Sequence, residues 1–189
     1  MTHAETTTEP NLSIGTLRPD LRHVPQHSLP TGFRWRWYQP GDERLWVAIH
    51  EVADRYNVVT PTVYEQAFGA HRDALPDRQV FIVDNDDHAV ATATAWLDDA
   101  GMGEGYGRVH WVAVVPARQG QGLARPLLTT VLNRLAELGH TRAYLDTSTL
   151  RIPAVNLYLS FGFVPLIQTD DDARAWAGIR DRLKYPLPL

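Results

Sequence analysis

The sequence predicts an α/β domain built in three layers, and three features carry that expectation. Residues 109–115 form a nearly continuous apolar run closed by Pro116, as in a central strand covered on both faces. Residues 121–138 place Leu123, Leu127, Leu128, Val131, Leu132, Leu135 and Leu138 at three- and four-residue spacing, the stripe of a long amphipathic helix that Gly139 stops. From Phe33 onward, strand-patterned and helix-patterned segments follow in the order β-α-α-β-β-β-α-β-α-β.

Each element has its own local reason. Phe33, Trp35 and Trp37 alternate with Arg34, Arg36 and Tyr38, a strand period, until Pro40 and Gly41 break it and Asp42 offers an N-cap. Leu45, Trp46, Ile49, Val52 and Ala53 then give a helix its core face as far as Tyr56. Thr60 followed by Pro61 opens a second helix running towards His71, because a proline at the first helical position loses no hydrogen bond. Residues 80–83 and 89–96 are strands joined by Asn85, Asp86 and Asp87, whose side chains favour turns, so they form an antiparallel hairpin. Residues 101–107 are a glycine-rich loop. Beyond the long helix come a short strand at 143–146, a helix at 153–160 ended by Gly162, and a strand at 163–167. A helix capped by Asp170 to Asp172 and reaching Ile179 follows, then a last strand at 183–185. The ordered part is therefore a single domain over residues 33–189. Residues 1–32 hold four prolines and no aromatic ring to anchor them, and read as a flexible tail.

Composition narrows the chemistry. The 18 basic and 22 acidic side chains give a net charge of −4, the wrong sign for a nucleic-acid backbone binder, so no nucleic-acid partner is expected. With no cysteine, the chain has no disulfide framework, no Cys-ligated metal and no thiol nucleophile. No apolar run approaches the roughly 18 to 20 residues needed to span a bilayer, and the N-terminus lacks a charged-then-apolar signal pattern. The expectation is a soluble cytoplasmic protein without a membrane partner or bound metal, a monomer or a homodimer.

The chemistry concentrates where the apolar strand meets the long helix, at Val112, Ala113, Val114, then Gln119, Gly120, Gln121, Gly122, Leu123, Ala124 and Arg125. The glycines let the backbone approach a ligand. The first N–H groups of the helix have no partner within it and, with the positive end of the helix dipole, suit an anion. Arg118 and Arg125 bring charge to the same turn. From the residues alone the segment reads equally as a pyrophosphate cradle or as a turn that merely reverses the chain. It is not a P-loop, since no Gly-Lys-Ser/Thr follows, and it lacks the third glycine of the dinucleotide fingerprint.

The run Gln119-x-x-Gly122-x-Ala124, after an Ala-Val strand end and before a leucine-rich helix, resembles the coenzyme A motif of the GCN5-related N-acetyltransferase (GNAT) superfamily. A second segment, Ala154-Val155-Asn156-Leu157-Tyr158 followed by Gly162-Phe163, resembles that family's later motif. The resemblance covers all but the first 30 or so residues. It implies the GNAT fold, a mixed central sheet splayed at the cofactor slot, and an acetyl-CoA-dependent N-acyltransferase. Backbone groups of residues 112–114 would pair with pantetheine, and amides from Gln119 to Arg125 would hold the pyrophosphate. The Val114 N–H would be the oxyanion donor, a role worth about 2.7 to 4 kcal/mol in acyl transfer. Tyr158 would be the general acid that protonates the departing thiolate; from the residues alone it reads as a core-edge ring with a locally satisfied hydroxyl. The sequence departs from the family at Arg151, where Asn is common, and at Gln119, where Arg is common.

For the base, His110 lies on the apolar strand, and period-two alternation puts it on the face of Val112 and Val114. A buried histidine bonded to backbone is the alternative, and Glu51, Asp54 and Glu104 are further candidates. Asp146, Thr147, Glu51 and Trp111 are candidate acceptor contacts, with Trp96, Tyr56 and Tyr64 as further wall residues. A chain with 22 acidic side chains and Lys184 as its one lysine suits an ammonium-bearing small molecule. The expected activity is acetyl transfer from acetyl-CoA to a primary amine in a ternary complex. The alternatives are a catalytically weak acyl-CoA-binding regulatory module of the same fold, or a protein or peptide N-acetyltransferase.

Overall fold

The structure is a computed structural model and describes residues 10–187. These fall into two compact units, one spanning residues 19–143 and the other made of the N-terminal segment to residue 18 together with everything from residue 144. Among the described residues no helix is long and apolar enough to cross a membrane.

In the larger unit, β2 (Phe33–Trp37), β3 (Gln79–Asp84), β4 (Ala89–Trp96) and β5 (Tyr106–Val114) form consecutive antiparallel pairs. The β3–β4 hairpin turns where expected, and Asp84 holds it by accepting the amides of Asp86 and His88. The helices α1 (Glu43–Ala53) and α2 (Pro61–Phe68) cover one face. There Trp46, Ile49, Tyr64 and Phe68 pack with Phe81, Trp96 and Ala113. The helix α3 (Ala124–Glu137) packs on β4 and β5, burying Leu127, Leu128, Val131, Leu132 and Leu135. This unit thus has the three layers the apolar run of β5 predicts.

The smaller unit contains β6 (Arg142–Ser148, begun at the boundary), α4 (Ile152–Ser160), β7 (Val164–Leu166) and α5 (Asp170–Ile179). Its other strand comes from an unexpected place. Ser13–Arg18 forms β1, which lies between β6 and β7 and pairs antiparallel with β7, Gly15 opposite Leu166. Residues 1–32 are therefore not a flexible tail throughout. Ile14, Thr16 and Arg18 are buried, and Ile14 packs with Val155 and Trp176. In the larger unit, Leu21 and Val24 are buried, and the Pro25 carbonyl accepts the Thr129 hydroxyl at 2.8 Å. Residues 1–9 of the expected tail lie outside the described residues.

Three local expectations are corrected. Residues 183–185 form no strand; a single 3-10 turn at Arg180–Arg182 follows α5. The second helix stops at Phe68 and gives way to 3-10 turns over Gly69–Asp77, which contain Pro76. Asp42 stands at the N-cap of α1 but its carboxylate does not cap. It accepts instead from Arg36 at 2.8 Å and from the Gln39 amide.

Candidate active site

The centre of β5 is not a regular strand. His110 lies opposite Thr94 and Ala113 opposite Thr92, so three steps on β5 answer two on β4. The extra residue is a β-bulge, and Trp111 within it adopts φ +52, a left-handed conformation that costs a bulky L-residue strain. The bulge resets the alternation. His110 shares its face with Ala113, towards α1 and α2, while Val114, opposite Ala91, points to the other face. The expectation that His110 lies on the face of Val112 and Val114 is corrected accordingly. Because the Val115 amide donates to Val90 on β4, alternation turns the Val114 N–H to the opposite edge of the strand.

Around the bulge lies a cluster of rings. Trp111 meets Trp46 edge-on at 5.0 Å between centroids, His50 at 5.2 Å and His110 at 5.7 Å, and His110 meets Phe68 at 5.6 Å. Burial, with the Arg108 guanidinium adding to it, holds the His110 imidazole well below its usual 6.5, so the ring is neutral at physiological pH. His50, buried in α1 with its ring 4.2 Å from Trp46, belongs to this cluster and was not singled out from sequence. The legible signal was its position four residues after Trp46, on the same helical ridge.

After β5 the chain makes a 3-10 turn at Pro116–Arg118 and reaches α3 through Gly120 at φ +78 and Gly122 at φ +79. Both positions need glycine for conformation rather than for space: a Cβ at Gly120 meets nothing within 4 Å, and one at Gly122 only Pro30 Cγ at 3.9 Å. The Gln119 side chain folds back, its Nε2 donating to the Val114 carbonyl at 3.0 Å, which ties the turn to the strand end. Leu123 is the N-cap of α3 and, being apolar, caps nothing. Pro126 within the first turn has no N–H to offer. Among the described residues, no acceptor takes the backbone N–H of Gly120, Gln121, Gly122, Leu123, Ala124 or Arg125. By contrast α5 closes its own start with a capping box between Thr169 and Asp172. Open amides, positive helix dipole and unobstructed glycines together fit a pyrophosphate. Arg118 does not add a loose charge there: it pairs with Asp84 at 2.8 Å and stacks over Phe33. Asp84, Asp86 and His88 bring possible metal-ligand atoms within 4.8 Å of one another, with Asp84 already committed to Arg118 and the turn amides.

In the smaller unit, Tyr158 sits on α4, 7% exposed. The sequence Tyr158…Gly162-Phe163 is a Schellman helix ending. The Phe163 amide donates to the Tyr158 carbonyl at 3.2 Å, the Gly162 amide to Leu159 at 3.0 Å, and Gly162 takes φ +77. The Phe163 ring packs edge-on against the Tyr158 ring, centroids 6.0 Å apart, as the apolar contact of that motif. The Tyr158 hydroxyl makes no hydrogen bond to a described residue, so it is not the locally satisfied ring the residues alone allow. Burial pushes it up to about 12, against the pull of the Arg151 guanidinium at the N-cap of α4. It is a fully protonated donor at neutral pH.

The remaining candidates separate. Val112, Ala113, Val114, His110, Trp111, Glu51 and the Gln119–Arg125 turn belong to the larger unit; Tyr158, Asp146 and Thr147 belong to the smaller. Glu51 is exposed on α1, and Asp146 is exposed on β6 with Thr147 half-buried beside it. Asp54 holds the turn after α1 by accepting the amides of Tyr56 and Asn57. Trp96 and Tyr64 are core, whereas Tyr56 is exposed. Glu104 lines a depression of about 470 Å³ with Met102, Tyr106, Thr141 and Arg142, at the start of β5 and away from the open amides at its end.

Residues 21–163 match the family model described as "Acetyltransferase (GNAT) family". The chain is 46% identical over 52 residues to N-acetyltransferase 8B of Rattus norvegicus, covering 28% of this chain and 23% of that protein. It is 28% identical over 145 residues to the mycothiol acetyltransferase of Pseudarthrobacter chlorophenolicus, covering 74% of this chain and 45% of that protein. The chain therefore spans less than half the length of the curated relatives it matches. Among solved structures, a GCN5-related N-acetyltransferase from Sphaerobacter thermophilus superposes with a TM-score of 0.69 at 24% identity, covering 84% of this chain and 50% of that one.

Proposed function

The chain belongs to the GNAT acetyltransferase family, and from that premise we propose that it moves an acetyl group from acetyl-CoA to a primary amine of a small molecule. The observation that carries the reading is the row of open amides from Gly120 to Arg125 behind two left-handed glycines. Acetyl-CoA supplies an acyl carbon already activated as a thioester. The chain supplies the rest. Amides of the Gln119–Arg125 turn bind pyrophosphate, and the edge of residues 112–114 pairs with pantetheine. The Val114 N–H, turned to the edge of its strand away from β4, donates to the thioester oxygen as charge develops there. Tyr158 gives its hydroxyl proton to the sulfur as the C–S bond breaks. His110, neutral and partly exposed, is the proposed acceptor of the amine proton, although burial makes it a weaker base than free imidazole. The amine attacks directly in a ternary complex, a route consistent with a chain that holds no thiol to carry an acyl group. Similarity to proteins named mycothiol acetyltransferases supports a small acceptor.

The test is acetyl-CoA consumption across amino acids, polyamines, aminoglycosides, hydrazines and peptide N-termini, run beside Tyr158→Phe. The reading expects turnover with at least one small amine and a loss of about 100-fold or more in kcat for the variant. Tight acetyl-CoA binding with no acceptor in any class would instead favour the acyl-CoA-binding module. Turnover confined to peptides would move the acceptor to protein N-termini.

A further inference from the structure

Arg18 is the last residue of β1 and is 7% exposed, an unusual place for a guanidinium. Gly162 makes room for it. A Cβ built on Gly162 would stand 2.7 Å from Arg18 Nη1 and 3.8 Å from Cζ, so the guanidinium lies directly against the glycine that closes α4. Gly162 is thus a double requirement: it supplies φ +77, and it leaves the space that Arg18 occupies. The turn beneath the guanidinium is the one that fixes Tyr158. Both Phe161 and Phe163 donate their amides to the Tyr158 carbonyl, at 3.0 and 3.2 Å, and the Phe163 ring packs on the phenol. A cation at this end of α4 also faces the negative pole of the helix.

We infer that Arg18 is a positioning residue for Tyr158: docked on Gly162, it holds the C-terminal turn of α4 and thereby sets where the phenol points. The inference rests on the proposed acid role of Tyr158. Arg18 touches no reacting atom in this account; it acts through the turn. It also gives β1 a place in the chemistry as well as in the sheet.

The experiment is a cycle of Arg18→Met, Arg18→Lys, Tyr158→Phe and the Arg18→Met/Tyr158→Phe double variant in the full chain. Each is assayed for kcat and for KM of acetyl-CoA with the best amine from the panel, after its thermal midpoint is shown to lie above the assay temperature. Arg18→Met is expected to lower kcat about 10- to 100-fold, the scale of an ångström-sized misplacement, with KM within about threefold. Arg18→Lys, which keeps the charge, should recover most of the loss. The double variant should be no more than about threefold worse than Tyr158→Phe alone, because the phenol that Arg18 positions is already gone. An unchanged kcat in Arg18→Met, or losses that multiply in the double variant, overturns the inference while leaving the acid role intact. An unchanged kcat in Tyr158→Phe overturns the acid role and the inference with it. If Arg18→Met does not fold, Arg18→Gln takes its place, since its shorter neutral side chain withdraws the guanidinium from Gly162 and leaves the φ +77 turn untouched. The same kcat-selective loss is then expected, and its absence refutes the role.

Discussion

Gly122→Val separates the cradle from the fold. Gly122 has φ +79, a conformation that costs an ordinary L-residue roughly 1 to 2 kcal/mol. The new side chain meets little else, because its Cβ has only Pro30 Cγ nearby at 3.9 Å. The turn is exposed and its amides hold no described partner, so it can relax towards negative φ instead of storing that cost. Folding stability should therefore fall by at most about 1 to 2 kcal/mol, a drop of roughly 2 to 8 °C in Tm for a chain of this size. Ligand binding has no such escape. Relaxation turns the Gly122 amide and its neighbours out of line with a bound pyrophosphate. A hydrogen bond to a charged group contributes about 1.5 to 3 kcal/mol, so losing two costs about 3 to 6 kcal/mol. That is a weakening of at least about 100-fold. Calorimetric titration with CoA and a thermal scan on the same sample give both numbers. A Kd change under about tenfold, or equal free-energy losses from binding and folding, would refute the cradle.

Three further outcomes follow from the same geometry. His110 is held below its usual 6.5 by burial, so as pH falls through that value the unfolded chain takes up a proton that the folded ring refuses, and stability drops. His110→Phe keeps a ring against Phe68 and Trp111; between about pH 7.5 and pH 5 its urea midpoint should fall less than that of the wild type, and an equal fall would sink the assignment. Thr169→Ala breaks the capping box of α5 and should cost about 0.5 to 2 kcal/mol in chemical denaturation with no change in CoA affinity; an unaltered midpoint contradicts the cap. Deleting residues 1–18 removes β1 from between β6 and β7 and should abolish a cooperative thermal transition for residues 144–187, whereas an unchanged transition would mean the strand is dispensable.

What could be read in advance divides along physical lines. The helices α3 and α5 and the β3–β4 hairpin were legible from apolar spacing, the Gly139 stop and the Asn85–Asp87 turn residues, although the cap of α5 is Thr169, with Asp172 as its partner in the capping box. Gly162 was legible as a helix stop, though not as the seat of Arg18. β1 was hidden because its inward residues are Ile14, Thr16 and Arg18 while Leu17 lies on the other side, so its apolar pattern is inverted. The bulge at Trp111 was hidden for a different reason. A left-handed tryptophan violates the local preference, and only pairing with β4 reveals that the alternation has slipped. The open amides of α3 were half legible. Leu123 offers no cap and Pro126 no donor, but whether another segment would cover the turn is a tertiary question.

The place of β1 also bears on the order in which the chain is made. Thr16 donates to the Leu145 carbonyl, a group 129 positions later. At a synthesis rate of about 5 to 20 residues per second, that partner emerges roughly 6 to 26 s after the strand itself. During that interval Ile14 has no core to enter. Residues 19–143 can meanwhile collect their own sheet and helices, with local pairings that close fast. The smaller unit must then assemble from two segments that residues 19–143 separate along the chain. An N-terminal fusion that binds or shields residues 10–18 would act on that step, delaying completion of the unit that carries Tyr158 while leaving the cradle built.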